Sequence, residues 1–314
     1  MKTWFKMLAS TCAVIPFAQC AILPGSNIAS AAEPVAAAAP AAAMTDADPA
    51  LWVVKDADTT IYLFGTVHVL KPGLSWFDEA VKTAFDKSDE MMLELVMPED
   101  QAAVAKTMMP LAMDTTGKTI PSRLTADELK AYQAAMVSVG VPANAFDSFE
   151  PWFPAMTLSV LPLTKLGYDP EQGAEKLLTK FAKDSSKPVS GLETLEEQLG
   201  FFDKLPETQQ VAFLNSVVKD MDKLGPMLDR MVVLWAKGDP DGLAVAMNES
   251  MAATPELATM LLYDRNQRWA DQIKTRMDKP GTVFIAVGAG HLAGEKSVQD
   301  YLKARGLTAT RVKY

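Results

Sequence analysis

The chain has 314 residues, 49% of them hydrophobic and 22% charged, with 30 Lys and Arg against 39 Asp and Glu for a formal charge of -9. That length and balance exclude wholesale disorder and allow a sizeable buried core. The acidic excess argues against nucleic acid as a partner, because phosphate binding needs clustered basic side chains.

The N-terminus has the plan of a secretory signal peptide cut near residue 31 or 32. Lys2 and Lys6 precede a largely apolar stretch, 7–23, and Ala29-Ser30-Ala31 and Ser30-Ala31-Ala32 both offer small-x-small cleavage patterns. Pro16 and Gln19 inside the apolar run favour cleavage over retention as an anchor, and Gln19 before Cys20 does not suit a lipoprotein site. Removal of 1–32 takes away both cysteines, Cys12 and Cys20, so the mature chain has no thiol for a disulfide, a nucleophile or a zinc ligand. It also removes two of the 30 basic residues and no acid, leaving 28 against 39 and a charge of -11. The expected location is the periplasm or the exterior. Residues 33–48, rich in Ala and Pro, read as a tether, and 49–314 as the folded domain. No later apolar run approaches a membrane span; 153–163 is broken by Pro154 and Pro162 and reads as a buried element.

The first folded unit begins with 59–67 (TTIYLFGTV), whose β-branched and aromatic residues mark a strand. Ser75, with Asp78 three residues on, is expected to cap a helix whose face is Phe77, Ala80, Val81, Ala84 and Phe85. Residues 91–96 (MMLELV) follow as a nearly continuous apolar strand, completing a βαβ unit that places the two strands side by side and parallel. Helical spacing dominates the middle, about 98–279, in 125–139, 174–183, 207–223, 226–237 and 255–277. Its methionines read as core filling. A short strand at 187–190 interrupts, running through Gly191 into a helix opened by the capping box Thr194/Glu197. Asp239-Pro240-Asp241-Gly242 reads as a turn between helices. The C-terminus repeats the first plan: strand 282–287 (TVFIAV), a glycine loop, a helix with Val298, Tyr301 and Leu302 inward, Gly306 as its cap, and strand 307–313. The predicted fold class is α/β, a mixed and largely parallel sheet from two βαβ-like units with a large helical insertion between them, lidding the site.

The mature chain's two histidines, His68 and His291, both end a Gly-x-x-His tetrad that follows an apolar strand and precedes a helix. In a parallel sheet such positions share one edge, where ligands bind. They can therefore meet although 223 residues apart (291 less 68). Glu94 interrupts an otherwise apolar strand, and a buried carboxylate needs a compensating cation or donors, at a cost of several kcal/mol if it has none. A metal would serve; the alternative is a sheet-edge acid that faces solvent or pairs with an arginine. Two histidines and one carboxylate with open positions can hold zinc, iron or manganese, and such an ion would activate water and polarise a carbonyl. His68, Glu94 and His291 are thus the predicted metal ligands. Glu193, in Ser190-Gly191-Leu192-Glu193-Thr194, is a candidate fourth ligand or base; Arg265 and Asn266 (YDRNQRW) by themselves read as a polar helix face. A His-Glu-x-x-His helix, a Gly-x-Ser-x-Gly elbow, a P-loop and a Gly-x-Gly-x-x-Gly turn are absent from the sequence. A serine nucleophile with His68 or His291 as base stays open.

On Tyr62-Leu63-Phe64-Gly65-Thr66-Val67-His68, Glu94, Gly191-Leu192-Glu193-Thr194, Arg265-Asn266 and Val287-Gly288-Ala289-Gly290-His291, the chain resembles the TraB/GumN family, which includes the Tiki-type metalloproteases. The resemblance implies the fold of the erythromycin-esterase and ChaN group and a metal-dependent, peptidase-like activity with a divalent ion such as Mn or Co, Zn being the third candidate. It implies metal binding by His68, Glu94 and His291, with Arg265 and Asn266 lining the site, and a peptide or protein substrate. The rival expectation is a non-catalytic envelope protein that uses the same pocket for a small ligand, haem or a partner.

Overall fold

The computed structural model describes residues 44–251 and 255–314. The expected signal peptide and most of the Ala/Pro tether lie outside the described residues. The fold opens with β1 (Thr45–Asp46), β2 (Leu51–Lys55), β3 (Thr59–Thr66) and β4 (Leu74–Ser75), then α1 (Glu79–Lys87) and β5 (Glu90–Leu95). Helices α2 (Gln101–Ala112), α3 (Ile120–Arg123), α4 (Ala126–Ser138), α5 (Trp152–Lys165) and α6 (Ala174–Asp184) precede β6 (Val189–Glu193). There follow α7 (Leu195–Asp203), α8 (Glu207–Asp220), α9 (Leu224–Ala236), α10 (Pro240–Met251) and α11 (Pro255–Ala258). A π-helical turn, Thr259–Tyr263, leads into α12 (Asp264–Met277). The chain closes with β7 (Gly281–Gly288), a 3-10 turn (Ala289–Leu292), α13 (Val298–Ala304) and β8 (Thr310–Arg311).

The main sheet runs β6-β5-β7-β3-β2-β8. Its first four strands are parallel, while β2 is antiparallel to β3 and to β8. The mixed, largely parallel α/β sheet read from the sequence is therefore present. One expectation is corrected: β3 and β5 are not neighbours, because β7 lies between them and pairs with both. The reason is burial. A nearly continuous apolar strand needs ladder partners on both edges and cover on both faces, and β7 finds all four in the slot that the crossover through α1 leaves open.

Alternation along the central strands makes two cores. Ile61 and Leu63 of β3 and Val283, Ile285 and Val287 of β7 pack against Trp269, Ile273 and Met277 of α12 and Val298 and Leu302 of α13. Phe64, Phe284 and Ala286, with Met91 and Leu93 of β5, face the larger helical layer, where Met108, Met136, Met156 and Met231 are buried as expected. Each large apolar side chain buried this way contributes about 1.5–3 kcal/mol, so the sheet's C-terminal rim is held from both sides.

Three local expectations change. Ser75 does not cap α1: it sits in a two-residue parallel bridge with β1 and its hydroxyl donates to Asp78 Oδ2 at 2.5 Å, while Asp78 takes the N-cap position. The segment around 153–163 is the buried element expected: it is a helix, with Pro154 in its first turn, where the missing N–H has no helical partner to lose, and Pro162 inside it. Asp239-Pro240-Asp241-Gly242 opens α10, with Gly242 N donating to Asp239 Oδ1 at 2.8 Å and Pro240 in the first helical position. The strand predicted over 307–313 shrinks to β8, since only Trp52 and Val53 of β2 pair with it.

An ion pair in the helical layer carries a pH prediction. Asp114 and Arg123 pair with side-chain exposures of 3% and 4%, and Thr116 N and Oγ1 also donate to Asp114. Burial pushes this carboxyl up, but the Arg123 and Thr116 hydrogen bonds outweigh it and leave the pKa at about 2, from an ordinary 3.8. The folded value lies below the unfolded one, so the pair's stabilisation is complete above about pH 4 and is lost as pH falls toward 2. Asp114→Asn should be less stable than wild type at pH 7 and converge with it in acid unfolding followed by circular dichroism. A gap that persists undiminished near pH 2 would refute this assignment.

Candidate functional site

The site is built where β3 and β7 end together. The two strands pair in register through Thr66↔Gly288, and the turns beyond them cross closely. A Cβ on Gly65 would stand 3.0 Å from Ala289 Cα, so a side chain there would push the two histidine turns apart.

His68 leaves β3 toward α6. The segment after β3 is pinned by Ala174 N donating to Val67 O at 3.0 Å and by an isolated bridge between Leu70 and Asp169. Gly173 passes so close that a Cβ there would lie 2.1 Å from His68 O. This brings Glu175, in the first turn of α6, onto the histidine: His68 Nδ1 lies 2.5 Å from Glu175 Oε1, which also accepts from Thr66 Oγ1. Burial pushes the Glu175 carboxyl up, but His68 and Thr66 outweigh it and hold it below the usual carboxylate range. With Nδ1 donating to a carboxylate, a neutral His68 carries its lone pair on Nε2.

His291 is held by a different partner. It lies in the 3-10 turn after β7, wholly buried, its ring 4.3 Å from that of Trp269. Asn266 Nδ2 donates to Lys296 O at 2.8 Å, which turns Oδ1 toward His291 Nδ1 at 2.5 Å. The amide orientation therefore assigns the proton to Nδ1 and the lone pair to Nε2. Burial, then the charges of Arg265 and His68, hold the imidazole well below its ordinary pKa, so it is neutral.

Glu94 and Glu193 meet at one guanidinium. Arg265 is 0% exposed, Glu94 5% and Glu193 6%, so the carboxylates' charge must be met inside the protein. Glu94 Oε2 accepts from Arg265 Nη2 at 2.9 Å and Oε1 from Gly288 N at 2.5 Å. Glu193 takes Arg265 Nε at 3.0 Å on both oxygens and Nη2 at 2.7 Å. Arg268, Trp269 Nε1 and Gln198 also donate to Glu193. Arg265 Nη1 donates to Leu261 O at 3.1 Å and faces His291 Nε2 at 3.2 Å. All five guanidinium N–H groups are thus engaged. The cation that buried Glu94 requires is Arg265, and the polar helix face read for Arg265 and Asn266 points inward.

Glu193 ends β6 rather than following it, and its saturated oxygens leave no lone pair for a base. Glu94 Oε1 and His291 Nε2 are 3.6 Å apart, close to the separation of about 3.4 Å expected of two donors around a tetrahedral ion. The chemistry fits too: both imidazoles have Nδ1 tied to a side-chain oxygen, the arrangement usual behind metal-ligating histidines. Among the described residues, however, no three such side chains surround one point. His68 shares the rim, near enough for its charge to act on His291, but it belongs to the Glu175 pair. Glu175 escaped sequence reading; its one local signal is an acid in the first turn of a helix, a common feature.

Glu193 also borders an open cleft of about 390 Å³ between the ends of β5 and β6 and the start of α7, lined among others by Val96, Thr107 and Gly191. A smaller cavity of about 60 Å³ lies against Tyr263, Asn266 and Gly290. Among the described residues no helix is long and apolar enough to cross a membrane.

The model of the TraB/PrgY/gumN family matches residues 50–311. The chain is 24% identical over 255 residues to an uncharacterized protein, YbaP, of Escherichia coli (strain K12), covering 81% of this chain and 92% of that protein. An uncharacterized protein of Treponema pallidum (strain Nichols) is 21% identical over 272 residues, covering 82% and 80%. A metalloprotease TIKI homolog of Amphimedon queenslandica is 23% identical over 314 residues, covering 83% of this chain and 61% of that protein. No solved structure matches the chain.

Proposed function

We propose a function from a plain premise: the chain belongs to the TraB/PrgY/gumN family, whose model matches residues 50–311. It is an exported hydrolase of peptide bonds, dependent on a divalent ion held by His68, Glu94 and His291. The name of the Amphimedon relative, a metalloprotease, supports the reaction class. The observation that carries the ion site is the pair of imidazoles whose Nδ1 atoms are engaged by Glu175 and Asn266, together with the 3.6 Å between Glu94 Oε1 and His291 Nε2. Such an ion supplies Lewis acidity and a water of lowered pKa.

The chain's own residues hold this site in order. Asn266 keeps His291 in the tautomer with a lone pair on Nε2, and Glu175 does the same for His68. Glu193 anchors Arg265, which in turn fixes Glu94. The cleft at Glu193, at about 390 Å³, is within the usual size of a small-ligand site and is where a peptide would dock. The helices between β5 and β7 form the insertion that covers it.

The test is metal content and turnover measured together. Purified protein should contain a stoichiometric divalent ion and cleave members of a peptide library, read by mass spectrometry, and a His68→Ala, His291→Ala variant should do neither. Equal metal content in the two proteins would remove the ion site; metal without cleavage of any peptide would favour a binding role. A second reading has one observation in its favour: a histidine oriented by a buried carboxylate, His68 with Glu175 at 2.5 Å, is also the makings of a general base for acyl transfer. Hydrolysis that survives exhaustive chelation would select it.

A further inference from the structure

The ion site proposed above has a resident competitor. One of Arg265's contacts points at an atom that the ion would use, Nη1 to His291 Nε2 at 3.2 Å, and a second, Nη2 to Glu94 Oε2 at 2.9 Å, holds the other oxygen of the same carboxylate. A lone pair on Nε2 cannot serve a guanidinium and a metal at once. The remaining contacts form a separate anchor. Nε and Nη2 hold Glu193 at 3.0 and 2.7 Å, and the guanidinium carbon lies 4.7 Å from the Trp269 ring and 5.4 Å from that of Phe201. Arg265 can therefore release Glu94 and His291 and still keep a counter-ion.

The backbone beside it is suited to such an adjustment. Leu261, whose carbonyl takes Nη1 at 3.1 Å, belongs to the π-helical turn Thr259–Tyr263 that runs directly into α12. Turns of this kind recur at functional sites, where a helix carries an extra residue in one turn. Charge points the same way. Glu94 has Arg265 as its buried counter-ion, so a dication on the same carboxylate beside an unmoved guanidinium would meet like-charge repulsion that solvent screens poorly.

We propose that Arg265 is the internal cation of the ion site, and that a divalent ion binds Glu94 and His291 only as Arg265 withdraws onto Glu193. The proposal rests on the ion-site reading and fails separately from it. Co2+ alone is titrated by calorimetry into the wild-type chain, Arg265→Met and His291→Ala. Removing a competing buried cation should tighten Co2+ binding in Arg265→Met by at least about tenfold, and His291→Ala should lose it. Equal or weaker binding in Arg265→Met, with the wild type still binding, overturns the competition and leaves the ion site standing. Absence of binding in both overturns the ion site and this inference with it. Should Arg265→Met fail to fold by circular dichroism, wild-type crystals soaked in Co2+ decide. The Nη1–His291 and Nη2–Glu94 contacts should be gone and those to Glu193 kept. Cobalt on Glu94 and His291 beside an unmoved Arg265 would overturn the proposal.

Discussion

Replacing Glu193 by leucine will lower the free energy of unfolding by about 3–5 kcal/mol, the cost of breaking a buried charge pair by removing one partner. Glu193 has more buried donors on it than any other acid of the site: Arg265 through two nitrogens, Trp269 Nε1 and Gln198 Nε2, with half-exposed Arg268 as a fifth. Leucine has similar bulk and accepts none of them. Arg265 then keeps Glu94 as its single carboxylate, and each buried donor left without an acceptor costs about 1–3 kcal/mol more or less independently of the pairing. Urea unfolding of Glu193→Leu beside Glu196→Leu measures the difference. Glu196 is an exposed acid three residues on, in α7, and its replacement should change stability by no more than about 0.5 kcal/mol. A loss below about 1 kcal/mol at Glu193 would mean that the cluster is hydrated, and that Arg265 is not held where the competition for Glu94 and His291 requires it.

The second large effect falls on function. Glu175→Gln should reduce Co2+ affinity or peptide hydrolysis by about 10–100-fold, the usual consequence of losing a group that orients a ligating histidine. The amide keeps an oxygen near Thr66 Oγ1 and His68 Nδ1, so packing is preserved, but the negative charge that holds the imidazole is gone. Thr66→Val, which deletes one hydrogen bond to Glu175 and leaves the carboxylate, should be milder. Were Glu175→Gln as active and as metal-avid as wild type, His68 would need no carboxylate behind it, and both the ion site and the general-base alternative would lose their physical basis.

What could be read from the sequence was whatever depends on neighbours along the chain. The tetrads ending at His68 and His291, the apolar strands before them, the odd carboxylate at Glu94 and the capping box at Thr194 and Glu197 are short-range patterns, and the structure shows each in its element. Arg265 and Asn266 were legible only through family resemblance, because a charged helix face looks the same whether it meets solvent or a buried pair of acids. Tertiary structure alone decided three things. It set β7 between β3 and β5, so that the strand of Glu94 pairs with the one that leads to His291 and not with the one that leads to His68. It brought Glu175 to His68 across 107 residues (175 less 68), by a close backbone approach at Gly173. It made Arg265 the counter-charge of Glu94. All three follow from one requirement that no local window contains: apolar strands must be covered on both faces, and every charge carried inside with them must find its partner there, wherever along the chain that partner lies.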